Sequence, residues 1–202
     1  IGQPQRGMAI GAVLAAMSLV VLDAGIANVA LPTLARALAV TPAQAILVVT
    51  AYQTALVMAL LPCAALGERF GYRVVFTSGV AVFTAASMLC ASSASLPVLL
   101  AWRFAQGLGG AAIMALGVAL LRFSVPRDQL GRAIGWNALT VALSAAASPA
   151  IGAAILSVAD WPWLYAVNLP LGMIVLAATR AFPIATGAVR KIDLRSIALN
   201  AG

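Results

Sequence analysis

Six apolar runs constrain this chain more than any other feature. A helix needs about 20 residues, each rising 1.5 Å, to cross the hydrocarbon core of a bilayer. Runs of that length occupy 8–32, 42–66, 74–94, 97–121, 132–157 and 163–182. Hydrophobic residues make up 63% of the chain and charged ones only 8%. A soluble domain averages about 45–50% apolar and about 25% charged residues. The expected fold is therefore all-α: a membrane protein built as a six-transmembrane-helix bundle over residues 1–182, with no soluble domain. Residues 183–202 read as a cytoplasmic linker and the start of a further helix.

The charges orient the bundle. With six spans, Arg6, Arg69, Arg73, Arg122, Arg127, Arg132, Arg180, Arg190, Lys191 and Arg195 all fall on one side. Arg36 and Asp160 fall on the other. Basic loops stay in the cytoplasm, so both termini are expected there. Trp102, Trp161 and Trp163 then lie at the outer interface, where aromatic belts form. The net charge of +7 follows from these loops. No basic face with interleaved aromatics points to nucleic acid. Helices 1–3 and 4–6 make two triplets of opposite orientation, the plan of a 3+3 inverted repeat.

Histidine is absent, which removes the usual general base and the commonest metal ligand. Cys63 and Cys90 fall near opposite ends of neighbouring spans, too far apart for a disulfide, and read as free thiols. Nothing resembles a nucleophile–base pair or a metal-ligand cluster, so the chain reads as a non-enzyme without metal or cofactor.

Asp23 stands inside the first apolar run. A carboxylate is costly there and marks an ion or substrate path unless it is paired structurally. Arg103, early in the fourth run, is the natural counter-charge. It lies roughly 9 Å below the outer surface and Asp23 roughly 13 Å below it, counted along the helices. A nearby guanidinium favours the charged carboxylate and burial favours the neutral one, so a group between these effects can take up or release a proton. A fixed structural ion pair is the alternative.

Four other stretches stand out. Gly107, Gly109, Gly110, Ala111 and Ala112 form a small-residue patch suited to close helix packing. Gly67-Glu68-Arg69-Phe70-Gly71-Tyr72-Arg73 makes a tight charged turn, read either as a latch between helix ends or as an ordinary basic loop. Ser144, Ser148 and Gly152 recur every four residues, a small-xxx-small face next to the helix-kinking Pro149. Asn168 follows the tryptophan-rich start of the sixth run, and can bond across helices or line a cavity.

Together these pieces resemble the N-terminal half of a major facilitator superfamily transporter, within the fourteen-helix branch of drug–proton antiporters. Leu22-Asp23 with Asn28-Val29-Ala30-Leu31-Pro32 is similar to the helix 1 signature of that branch. Gly67 to Arg73 is similar to the superfamily loop signature, Arg103, Gln106 and Gly107 to the helix 4 signature, and Ser148-Pro149 with Gly152 to the antiporter signature of helix 5. The departures are Ala64 and Glu68 where the loop signature has Gly and Asp, and Gly25 where helix 1 has Thr. Ser144, Ser148 and Ala153 stand where helix 5 has glycines.

The resemblance implies proton-coupled efflux of lipophilic or cationic small molecules across a bacterial inner membrane. It makes Asp23 the protonation site and Arg103 its tuner. Gly67, Glu68, Arg69, Gly71 and Arg73 would form the inward gate. Ser144, Ser148, Pro149 and Gly152 would form the outer seal. Asn28, Tyr52, Gln53, Gln106 and Asn168 are the candidate cavity residues. The expected partners are a small-molecule substrate, protons, the lipid bilayer, and either a missing C-terminal half or a second copy. The chain opens without Met and stops where another apolar stretch begins, so both ends read as cut. The rival readings are an importer or narrow-substrate exporter of the same superfamily, and a non-transporting six-helix scaffold.

Overall fold

The computed structural model describes residues 3–181, and every regular element among them is helical. The long helices are α1 (Gln3–Ala37), α2 (Pro42–Phe70), α3 (Tyr72–Ala91), α4 (Leu96–Ser124) and α5 (Leu130–Val158). All five are long and apolar enough to cross a membrane. Two short helices follow, α6 (Trp163–Ala166) and α7 (Asn168–Ala178). The expected linker at 183–202 lies outside the described residues.

Local chemistry sets the boundaries. Thr41 and Gln44 cap α2 reciprocally: the Gln44 N–H donates to Thr41 Oγ1 at 3.3 Å, and the Thr41 N–H donates to Gln44 Oε1 at 2.9 Å. Gly71 ends α2 at φ 99°, a conformation that favours glycine, and α3 begins at the next residue. That one residue is the whole connector. Helix α2 therefore runs through Glu68 to Phe70, past the expected end at 66, and α3 starts at 72 and stops at Ala91 rather than 94. Helix α1 continues through Pro32 to Ala37. A proline removes only its own N–H, and the turn beyond it gains a bond from Arg36 Nε to the Pro32 carbonyl at 3.3 Å.

The sixth span differs most from expectation. It is broken at Val167 and regular only to Ala178, followed by a single 3-10 turn at Thr179–Ala181. Pro170 has no N–H for the Ala166 carbonyl, so the helix restarts with Pro170 in the first turn of α7, where proline is tolerated. The segment Trp163–Ala178 is shorter than the five spanning helices.

Helix α4 packs most closely against α2 and α3, and α1 against α5. Each triplet thus places its second helix on the first helix of the other, as a 3+3 repeat requires. The small-residue patch makes this possible on two faces of α4. A Cβ at Gly107 would run into the α2 backbone at Tyr52, and one at Gly109 into the α3 backbone at Phe83 and Gly79. Two buried apolar clusters result. One holds residues such as Val13, Val20, Phe76, Phe83, Ile113 and Leu120. The other gathers Ile26, Leu34, Val48, Leu99 and Leu164.

Helix α5 meets α1 through its small face. Ser148 lies directly against Gly25, and Gly152 against the Ile26 backbone. Gly25→Ala places a methyl on Ser148 and is expected to destabilise the protein by about 1–3 kcal/mol. Adding Ser148→Gly should return stability to the level of Ser148→Gly alone. Thermal unfolding of the full-length polypeptide in detergent measures both. Additive losses would show that the two positions do not share this space.

Candidate functional site

A polar layer separates the two apolar clusters. On α1, Asp23 lies between Val20 below it and Ile26 above it in sequence; on α4, Arg103 and Gln106 lie between Leu99 and Ala111. On α3, Ser87 lies between Phe83 and Cys90, and on α7 Asn168 follows Leu164 and Tyr165 and precedes Val175. Every one of these polar side chains is buried.

The centre is an ion pair. Arg103 Nη1 lies 2.6 Å from Asp23 Oδ2, and the two side chains are 0% and 1% exposed. Two buried charges cost least when their remaining hydrogen-bonding positions are met, and among the described residues Arg103 Nη2 is one position that is not. Here Gln106 Nε2 donates to Asp23 Oδ1 at 2.9 Å and Asn168 Nδ2 donates to the same oxygen at 2.7 Å. Arg103 Nη1 also donates to Gln106 Oε1 at 2.7 Å, and Arg103 Nε to the Val48 carbonyl of α2 at 3.3 Å. Ser87 ties the amides together, accepting from Gln106 Nε2 at 2.8 Å and Asn168 Nδ2 at 3.4 Å while donating to the Phe83 carbonyl at 2.8 Å. The Cys90 thiol reaches Gln106 Oε1 at 3.8 Å. Two tyrosine rings flank the guanidinium. The Arg103 Cζ is 4.3 Å from the Tyr52 ring centroid and 5.4 Å from that of Tyr165.

Asp23, Arg103, Gln106, Asn168 and Tyr52 thus come together from four different helices, α1, α4, α7 and α2. Of the expected cavity residues, Gln106 and Asn168 are buried with their amides donating to Asp23, and Tyr52 is buried with its ring over the Arg103 guanidinium and its hydroxyl donating to the Val20 carbonyl. Asn28 and Gln53 are exposed instead, and Asn28 Nδ2 bonds back to the Ala24 carbonyl of its own helix at 2.9 Å. Ser87, Tyr165 and Cys90 were not singled out from sequence for this site.

The loop and helix 5 residues lie elsewhere. Gly67 is buried where a Cβ would strike Leu116, Glu68 and Arg69 are exposed, and Arg69 stacks over Phe70 at 5.2 Å. Gly71 is the connector, and Arg73 follows it in the first turn of α3. Ser144, Ser148 and Gly152 are buried along α5, and Pro149 is exposed. Pro149 leaves the Ala145 carbonyl without its backbone donor, and Ser148 Oγ supplies one at 2.9 Å. The thiols of Cys63 and Cys90 are free and buried.

A bundle of apolar spanning helices closed around ionisable groups is the build of a membrane transporter. The chain belongs to the Major Facilitator Superfamily, whose family profile matches residues 5–195. It is 47% identical over 201 residues to a protein of Escherichia coli K12 described as "Uncharacterized transporter YebQ", covering 98% of this chain and 44% of that one. It is 32% identical over 179 residues to the "Putative multidrug resistance protein MdtD" of Klebsiella pneumoniae subsp. pneumoniae, covering 88% and 38%. The chain spans less than half the length of these curated relatives. The fold is shared with the proton:xylose symporter XylE at TM-score 0.79 and 12% identity, covering 100% of this chain and 52% of the other. A bacterial homologue of the lysosomal transporter Spinster gives 0.75 at 16% identity, covering 92% and 45%.

Removing either charge leaves the other buried without a counter-ion. Asp23→Ala and Arg103→Ala are each expected to cost about 3–5 kcal/mol, and the double variant much less than their sum. Unfolding of the full-length polypeptide in mixed micelles measures this cycle. Additive losses would mean that the pair contributes nothing as a unit.

Proposed function

We propose that this chain forms one half of a proton-coupled antiporter that expels lipophilic or cationic small molecules across a bacterial inner membrane. The observation that carries the reading is a carboxylate sealed inside a spanning helix with one acceptor position left over. A carboxylate offers about four lone-pair sites. Oδ1 of Asp23 accepts two amide donors, whereas among the described residues Oδ2 accepts only from Arg103. An incoming proton binds Oδ2. It cancels the ion pair there, while Gln106 and Asn168 keep the other oxygen in place.

The remaining residues fit the same cycle. Loss of the pair frees α4 from α1, and the conformational change follows from that release. Glu68, Arg69 and Arg73, grouped around the single-residue connector Gly71, act as the inward latch. Ser144, Ser148, Pro149 and Gly152 seal α5 against α1. Asn28 and Gln53, exposed on α1 and α2, face the substrate path, whose other wall is a second six-helix half or a second copy. The basic loop side, with both termini, faces the cytoplasm. The similarity to MdtD, described as a "Putative multidrug resistance protein", supports a broad substrate range for the whole protein.

The test uses everted membrane vesicles carrying the full-length polypeptide. Adding a lipophilic cation should release protons from energised vesicles, and Asp23→Asn should abolish that release without loss of protein from the membrane. Substrate-dependent proton release that survives Asp23→Asn would overturn the assignment. A change in assembly alone would favour a scaffold.

A further inference from the structure

We propose that Tyr52 and Tyr165 form an aromatic clamp that positions the Arg103 guanidinium while Asp23 is protonated. The inference rests on the proton-site reading above and deepens it. A cation sealed in the bundle needs a source of negative potential. When Asp23 is charged, the carboxylate supplies it. When Asp23 is neutral, the Val48 carbonyl, Gln106 Oε1 and the two ring faces remain. Ring faces carry negative potential, and their attraction for a cation is greatest where water is excluded. Both rings are 1% exposed.

The rings are held by different means. Tyr52 on α2 donates its hydroxyl to the Val20 carbonyl of α1 at 3.3 Å, three residues before Asp23. Tyr165 on α6 stacks edge-on with Trp161 at 6.2 Å. Its hydroxyl has no hydrogen-bond partner among the described residues. The face of Tyr165 therefore carries the contact with Arg103, and its hydroxyl does not. The titratable and charged groups around Asp23 are Arg103 from α4, Tyr52 from α2, Cys90 from α3 and Tyr165 from α6. α7 contributes only the neutral Asn168.

The clamp has a signed consequence. Weakening the ring faces leaves Arg103 more dependent on a charged Asp23, so protonation requires a more acidic medium. Tyr165→Phe keeps the face and should leave the midpoint unchanged. Replacing residue 165 with increasingly fluorinated phenylalanines keeps the ring's shape while draining its face of negative potential. The midpoint should move stepwise to lower pH as fluorine is added. Tyr165→Leu should shift it the same way.

The readout is the infrared band of the protonated Asp23 carboxyl in the purified full-length polypeptide, assigned by its loss in Asp23→Asn. Because fluorination preserves packing, the series remains readable if Tyr165→Leu does not fold. A midpoint that stays fixed across the series, or moves to higher pH, overturns the clamp and leaves the proton site standing. An Asp23 that does not titrate while the protein is folded overturns the proton site and the clamp with it.

Discussion

The ion pair between Asp23 and Arg103 is the interaction on which the rest of the bundle depends. Bringing two charges out of water costs several kcal/mol for each ion, even after relaxation. The mutual attraction offsets that cost only at close range, with the leftover donors and acceptors met. At 2.6 Å the range is met, and three helices supply partners, leaving Arg103 Nη2 without a hydrogen-bond partner among the described residues. Arg103 is on α4 and Asp23 on α1, so α4 must sit near the middle of the bundle. Gly107 and Gly109 let it do so, by bringing the backbones of α2 and α3 into contact with it. The glycines therefore set the distances at which the polar layer closes.

The same layer explains what could be read from the sequence and what could not. Asp23 and Arg103 were legible because each is a lone charge in an apolar run, at matching depth. The spans of α1 to α5 were legible because lipid demands length and apolarity. Ser87 was missed, since a serine among alanines carries no charge or hydropathy signal. A weaker signal existed: Val80, Phe83, Ser87 and Cys90 follow helical spacing, and all four are buried. A polar residue on the buried stripe of a spanning helix needs a partner. Tyr165 was hidden among the tryptophans that begin the sixth span. The break at Val167 follows from Pro170, whose missing N–H outweighs the apolar run around it.

The two triplets share their packing unequally. α2 lies on α4 and α5 on α1, and these outer helices are the least buried of the five long ones. Val57, Met58 and Leu61 on α2, and Leu139 and Leu143 on α5, remain uncovered. Nothing in the water-driven burial of a soluble core would allow this. In a bilayer such faces are satisfied by lipid tails or by another apolar helix, so the packing inside the bundle rests on small residues and hydrogen bonds instead.

Helix α5 gives no side chain to the polar layer, yet it is tied to it through one serine. Pro149 strips the Ala145 carbonyl of its backbone donor, and the Ser148 hydroxyl replaces that donor. The bond fixes the direction of Ser148 Oγ. The same atom fills the space in which a side chain on residue 25 would stand. Glycine at 25 and serine at 148 are departures from the signatures that helices 1 and 5 resemble, and each looks like a loss when taken alone. Taken together they are one exchange of volume across the α1–α5 contact. Gly25 lies two residues beyond Asp23, so the steric condition that seats α5 is set within one helical turn of the buried charge.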